Sequence, residues 1–326
     1  MEGVFKSTVV IPNYNGNAYI KNCLDSLMAE MKNTPFKIIV VDNYSTDGSK
    51  EIVLSEYKEV TLIGFEENTG FCKAVNAGIE KSDTEYVILL NNDTVVEEGF
   101  VRTLEEIMDE HPRAFSAGAK MIDMKNPDVL DDGGDFYCAL GWAFAGGKGK
   151  RADKYVKKRK VFSSCAGAAI YRKSILDKVG YFDENHFAYL EDLDIGYRAK
   201  IYGYSNYFSP KAIVKHAGSA SSGSRHNAFK VDLSSKNSVY VIYKNMPLLQ
   251  ILINLPFLVP GYLIKWLFFI KKGLGKNYFT GVLKGIKWSC SKEAKKHKVK
   301  FRFSHLKNYI LIQLELWKNI FLRVFY

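Results

Sequence analysis

VVIPNYNGNAYIKNCLDSLMAEMKNTPFKIIVVDNYSTDGS, residues 9–49, holds two short β-branched runs separated by one helical stretch. The run at 7–11 suits a strand, and KIIVV at 37–41 is continuously apolar, as expected of a parallel strand buried on both faces. Between them, Ile20, Leu24, Leu27 and Met28 recur at helical spacing over 17–31, with Asn17 placed to cap the helix. Strand, helix, strand in 35 residues or so is the repeating unit of an open, mostly parallel α/β sheet.

Working outward, the pattern repeats. A short helix is expected after DGS at 47–49. Then follow a strand at 60–65, a helix at 71–80, a strand at 86–90 and a helix at 97–110. In such sheets ligands lie beyond the carboxyl ends of the strands. Four polar loops fall there: Pro12-Asn13-Tyr14-Asn15-Gly16, Asp42-Asn43-Tyr44-Ser45-Thr46-Asp47-Gly48, Glu67-Asn68-Thr69-Gly70 and Asn91-Asn92-Asp93. Turn chemistry alone explains any one of them; four on one edge make a site. No GxGxxG follows the first strand and no GxxxxGK[ST] occurs, so neither a dinucleotide fingerprint nor a P-loop is present. A nucleotide here is expected to be held by side-chain carboxylates and amides, with a metal on its diphosphate.

The composition is that of a globular protein: 326 residues, 47% hydrophobic, 25% charged. Five cysteines (Cys23, Cys72, Cys138, Cys165, Cys290) are spread without a CxxC pair, which suits reduced thiols in the cytoplasm. Met1–Lys6 runs straight into STVVIP, so no signal peptide is expected. The charge is lopsided. Residues 247–326 carry 15 Lys and Arg against Glu293 and Glu315, more than the whole chain's net charge of +11. That quarter opens with PLLQILINLPFLVPGYLIKWLFFIKK, apolar, aromatic and flanked by lysine, which fits an anionic membrane surface better than nucleic acid. Gln250, Asn254, Lys265, Pro256 and Pro260 argue against a simple spanning helix and for an in-plane or re-entrant segment; the competing reading is a helical hairpin packed on the rest of the chain.

VVIPNYNG (9–16), VVDNYSTDGS (40–49), ENTGFCKAVNAGI (67–79), LLNNDT (89–94) and GYFDENHFAYLEDLDIGYR (180–198) together resemble the family 2 inverting glycosyltransferases of the GT-A fold, in particular the rhamnosyltransferase-like group of bacterial surface polysaccharide synthesis. The resemblance spans residues 7 to about 245. It implies an α/β GT-A domain over 1–246, with a nucleotide-sugar half (1–120) and an acceptor half (121–246). A C-terminal helical, basic, membrane-associating region (247–326) follows it. It also implies that Pro12, Tyr14, Asn15, Asn43, Asn68 and Lys73 surround the nucleotide, that Asp42 accepts the ring N–H of uracil or thymine, and that Asn91-Asn92-Asp93 occupies the place of an Asp-x-Asp metal motif. Asn91 departs from that motif. Asp93 and His216 would hold Mg²⁺ or Mn²⁺, hard oxygen ligands suiting the first and nitrogen tilting toward the second. Arg225, in SASSGSRHN (219–227), would reach the diphosphate.

Inversion is a single displacement and needs a base for the acceptor hydroxyl. The run 190–201 reads as a helix ended by Gly203, with Glu191, Asp192 and Asp194 in its first turn. Acids favour helix N-termini in any case. The resemblance assigns Asp192 as base and Glu191 as its orienting partner, and Asp194–Arg198 reads as a structural i,i+4 ion pair. Residues 123–160, with DDGGDF and RADKYVKKRK, read as a mobile loop or lid in which Trp142 and Phe144 either stack on a sugar or pin the loop. The expected partners are a UDP- or dTDP-sugar (dTDP-rhamnose among them), a lipid-linked or polysaccharide acceptor, and the inner face of the cell membrane, with no nucleic acid. The alternatives are a catalytically decayed scaffold of the same fold and a nucleotidyltransferase. The latter needs a Gly-rich triphosphate loop that PNYNGN does not provide.

Overall fold

A computed structural model describes residues 5–218 and 226–325. The elements run β1 (Ser7–Asn13), α1 (Ile20–Glu30), β2 (Lys37–Asp42), α2 (Ser49–Glu56), β3 (Thr61–Gly64), α3 (Phe71–Lys81), β4 (Tyr86–Leu90), β5 (Thr94–Val96), α4 (Phe100–Glu110) and β6 (Ala114–Asp123). They continue as β7 (Leu130–Asp132), β8 (Asp135–Cys138), β9 (Trp142–Ala145), β10 (Arg159–Val161), β11 (Ala168–Arg172), α5 (Lys173–Val179), α6 (Glu191–Ile201) and β12 (Ser205–His216). Five helices close the chain: α7 (Ala228–Asn245), α8 (Leu248–Lys271), α9 (Gly275–Ser289), α10 (Lys292–His297) and α11 (Leu306–Phe325).

The main sheet has the order β10-β12-β6-β11-β4-β1-β2-β3. Its first half is parallel: β1 pairs with β2 and β4, and β2 with β3. The second half is mixed, because β11 runs antiparallel between β4 and β6. The expected alternation of faces is visible residue by residue. Val9 and Ile11 of β1, with Ile38 and Val40 of β2, enter one core under α1 and α4; Val10, Ile39 and Val41 enter the other under α3, α5 and α6. Helices on both faces follow from strands that are apolar on both.

Local details differ from expectation at three places. Asn17 does not cap α1; its backbone N–H and its amide both bond to Asp47, tying the first polar loop to the second. Helix α4 begins after the short strand β5, at a turn where Gly99 has φ +80°. The stretch 123–160 is built of β7, β8, β9 and β10 rather than an open loop. One reason is Arg159, whose guanidinium lies 5.3–5.4 Å from the rings of Phe136, Tyr155 and Phe208, a cation held by three aromatic faces.

The C-terminal helices share a core with the strands. Tyr137, Phe162, Leu193 and Tyr197 pack with Val241, Leu258, Tyr309 and Leu316. Helix α8 is one continuous helix with Pro256 and Pro260 inside it, and its polarity is reversed. Its buried residues are Gln250, Asn254, Leu258 and Gly261, spaced four, four and three apart on one face. Tyr197 donates to Gln250, and Asn254 and Gln313 exchange two amide hydrogen bonds of 2.8 Å. So Gln250 and Asn254, two of the residues that argue against a simple spanning helix, face inward and take partners from α6 and α11. The opposite face is apolar and bare, from Leu248 (69% exposed) to Ile270 (48%). Phe279, Leu283 and Ile286 of α9 and Ile310, Leu314 and Trp317 of α11 are exposed as well. The packed reading thus describes the inward face, while the outward face is apolar and exposed.

Candidate active site

A cavity of about 830 Å³ opens at the carboxyl ends of β1, β2 and β4. Pro12, Tyr14, Asn43, Asn68, Asn91, Asn92, Asp93, Glu191, Asp192 and His216, separated by up to two hundred residues, all line it. Three residues expected there do not. The Asp42 carboxylate is 1% exposed and occupied, accepting from the Asn13 amide (2.9 Å) and from the Ser45 N–H (3.1 Å). Asn43, next along, reaches the cavity instead, and its own amide orders the β3–α3 loop through Asn68, Thr69 and Gly70. Asn15 caps the neighbouring loop at Thr46, and Lys73 points out from the exposed face of α3. Arg225 lies outside the described residues.

Asp93 is 6% exposed, with one oxygen 3.3 Å from His216 Nε2. The other ring nitrogen, Nδ1, is 2.8 Å from the Asp131 carboxylate. Burial alone would depress the imidazole, but its two acid partners raise it to about 9. Burial also opposes charge on Asp131, yet His216 and Lys148 hold that carboxyl well below the usual range. A carboxylate fixing one nitrogen while the other faces a second carboxylate is the arrangement that presents histidine to a metal ion. The donor set, one carboxylate and one imidazole beside the amides of Asn91 and Asn92, fits a divalent ion that keeps some ligands from its substrate.

Helix α6 delivers the other acids. Residues before it are bent into positive φ: Phe187 (62°), Tyr189 (69°) and Leu190 (67°), a conformation that costs side-chain-bearing residues of order 1 kcal/mol or more each. Asn237 of α7, fully buried, holds the bend by donating 2.9 Å bonds to the carbonyls of His186, Ala188 and Tyr189. The bend turns Glu191 and Asp192 into the cavity. Burial raises Asp192 to about 6, against the pull of the Leu193 and Ala166 N–H groups. Burial and then the neighbouring Asp192 charge raise Glu191 to about 8, and its Oε2 has no hydrogen-bond partner. Asp194 turns the other way. It is fully buried between Arg198 (3.0 Å) and Lys244 (2.8 Å), which keep its carboxyl low despite burial, so it is structural.

Sequence reasoning missed Asp131, Asp132, Asp135, Lys230 and Asn237. Asp135 and Lys230 line the cavity. Ligand atoms of Asp132, Asp135 and Cys165 lie within 4.8 Å of one another. Burial lifts Asp132 to about 6 and Asp135 well above the ordinary range, and burial followed by these acids keeps the Cys165 thiol protonated. Three acids among two glycines in DDGGDF were a readable signal. Phe144 lines the cavity, whereas Trp142 donates to the Gly261 carbonyl at 3.0 Å and ties β9 to α8.

The family described as Glycosyl transferase family 2 matches residues 8–180. The chain is 26% identical over 241 residues to an N-acetylglucosaminyl-diphospho-decaprenol L-rhamnosyltransferase of Mycobacterium tuberculosis, covering 66% of this chain and 77% of that one. It is 30% identical over 113 residues to a putative teichuronic acid biosynthesis glycosyltransferase, TuaG, of Bacillus subtilis, covering 33% and 44%. Among solved structures, GalNAc-T7 with UDP, GalNAc and Mn²⁺ superposes with a TM-score of 0.61 at 16% identity, covering 75% of this chain and 48% of that one. Staphylococcus aureus TarS 1–349 with UDP-GlcNAc gives 0.55 at 18%, covering 90% and 84%. At such identities the likeness to the solved structures is one of fold.

Proposed function

From the premise that the chain belongs to glycosyl transferase family 2 and is a glycosyltransferase, we propose that it moves a sugar, with inversion, from a UDP- or dTDP-sugar to a lipid-linked or polysaccharide acceptor of a cell-surface glycan. One observation carries the reading: the Asp93–His216 pair and the Glu191–Asp192 pair line a single cavity. Asp93 and His216 would hold a divalent cation, which would supply charge to offset that developing on the departing nucleoside diphosphate. Asp192, lifted toward neutrality by burial, takes the proton of the attacking hydroxyl. The rhamnosyl donor is favoured by the mycobacterial relative, and Mn²⁺ over Mg²⁺ by the nitrogen of His216.

The chain works at a membrane in this reading. The support is the exposed apolar face of α8, with Leu263, Leu267 and Ile270 each about half exposed, next to Lys271 and Lys272. The decayed-scaffold alternative is disfavoured by the buried acids Glu191 and Asp192, which are costly to keep without a task.

Thermal-shift screening with UDP, dTDP and GDP, each with Mn²⁺, tests the donor, followed by hydrolysis assays with the sugars of the stabilising nucleotide. UDP or dTDP is expected to stabilise the protein; stabilisation by GDP alone would sink the assignment. Flotation of the full chain with phosphatidylglycerol vesicles tests the membrane. Leu263→Glu with Leu267→Glu is expected to abolish flotation at unchanged fold, and undiminished flotation would refute the α8 face.

A further inference from the structure

A second cavity, of about 730 Å³, adjoins the first and shares Phe144, Tyr189, Leu190 and Ser234 with it. Its chemistry is the reverse. Lys148, Lys230, Lys265 and Arg323 line it, and no Asp or Glu does among the described residues. Lys148 is paired with Asp131 at 2.6 Å. Lys265 and Arg323 have no carboxylate within ion-pair distance among the described residues; each instead lies against an aromatic face, Lys265 5.9 Å from the Trp142 ring and Arg323 5.5 Å from that of Phe144. Two cations from α8 and α11 are thus brought to one cavity without a protein counter-ion. Arg323 is exposed, whereas Lys265 is half-buried; a half-buried cation left without its anion is a cost that a ligand can remove.

Ile264, Phe268 and Phe269 of α8 also line this cavity, and Ile264 and Phe268 belong to the exposed apolar face. The adjoining cavities together therefore offer an acidic lining in the first, and cations beside exposed apolar side chains in the second. A molecule that uses all three carries a sugar, phosphates and a hydrocarbon tail.

We propose that the second cavity holds the diphosphate of a lipid-diphosphate-linked acceptor, with Lys265 and Arg323 as the anion partners and the tail leaving past Phe268 and Phe269 into the bilayer. This rests on the first cavity being the donor site. A nucleoside diphosphate does not need these two cations, because Asp93 and His216 would hold a metal ion to take its charge. Charge-assisted bonds from a guanidinium and an ammonium suit two adjacent phosphates, and Arg323 fits a planar two-oxygen grip. The bond from Trp142 to the Gly261 carbonyl ties β9, whose Ala143, Phe144 and Ala145 line both cavities, to α8.

The test is calorimetric titration of the full chain in detergent with farnesyl diphosphate, in the presence of saturating UDP and Mn²⁺. Farnesyl diphosphate is expected to bind alongside UDP, while farnesol and inorganic diphosphate each bind at least about tenfold more weakly. Lys265→Gln and Arg323→Gln are each expected to weaken farnesyl diphosphate about tenfold or more, with UDP affinity and melting temperature unchanged, and Lys265→Arg to recover most of the loss. Equal affinity in both Gln variants would overturn the proposal, as would displacement of farnesyl diphosphate by UDP, which would put it in the donor site. Loss of phosphatidylglycerol flotation in these variants with farnesyl diphosphate binding intact would also overturn it, assigning the cations to bilayer headgroups. The nucleotide arm stands apart: if neither UDP nor dTDP binds, the donor reading fails, and titration of farnesyl diphosphate alone still decides the second cavity.

Discussion

The two cavities meet along Phe144, Tyr189 and Leu190 yet carry opposite charge. The first gathers Asp93, Asp135, Glu191 and Asp192; the second gathers Lys148, Lys265 and Arg323. The acids are crowded, and several are pushed toward neutrality by burial and by each other. Such a site is incomplete without a cation, whereas its neighbour is incomplete without an anion. The difference teaches that neighbouring sites can be left with opposite unbalanced charge, joined only where Lys230 lines both and Lys148 pairs with Asp131. Under the proposed function this suits a donor with its cation on one side and an anionic acceptor on the other.

The largest effect that can break this contrast lies at Asp192. Asp192→Asn is expected to lower transfer by about three orders of magnitude, with UDP affinity in Mn²⁺ retained, measured by single-turnover assay and calorimetry. Transfer near the parental rate removes Asp192 as base. Next is the orientation of the histidine. Asp131→Asn is expected to weaken Mn²⁺ dependence of UDP binding about 10- to 100-fold, because Nδ1 of His216 loses its carboxylate. An unchanged Mn²⁺ titration would mean that His216 is not a ligand.

The bend before α6 offers a subtler test. Asn237→Ala frees three carbonyls and is expected to cut turnover about tenfold or more while leaving UDP binding unaltered. A matching loss in UDP affinity would show a general collapse instead. The pH profile then checks the charge state. Burial raises Asp192 to about 6, so the base form is lost as pH falls through that value, and log turnover is expected to rise with unit slope below about pH 6 and level above it. A break near pH 4 contradicts the burial argument. The smallest effect is on stability. Glu191 has a folded pKa of about 8, above its unfolded value, so the folded state holds the extra proton and stability falls as pH rises between about 4.5 and 8. Glu191→Gln is expected to raise the melting temperature of the metal-free protein by a few degrees at pH 8 and by little at pH 5.

The acid cavity was legible in the sequence because each of its parts sits in a short motif at the end of a strand or the start of a helix. The strand positions, the fold class, Gly203 as the end of α6 and the convergence of Asp93 with Asp192 were all readable from local pattern and resemblance. The side of Asp42 was not. Alternation puts successive strand residues on opposite faces, but which of Asp42 and Asn43 escapes the core depends on Asn13 and Ser45, which arrive from other loops. DDGGDF reads as loop from its glycine pair and its charges, while His216, the partner of its Asp131, lies 85 residues away. The cationic cavity was illegible altogether. Lys148, Lys265 and Arg323 come from a loop, α8 and α11 and share no motif; only packing makes them neighbours. Likewise, the polar residues of α8 looked like interruptions until Gln313 and Tyr197 supplied their partners.

The reversed polarity of α8 has a practical bearing on how the protein can be handled. Cutting the chain after Met246 looks like the route to a well-behaved fragment, since it discards the greasy segment. It would instead strip the cover from Tyr137, Leu193 and Tyr197 and leave the hydroxyl of Tyr197 without its amide. Solubility is better sought by repainting the outward side of that helix with glutamate and lysine, residue by residue, and leaving Gln250, Asn254 and Gly261 untouched.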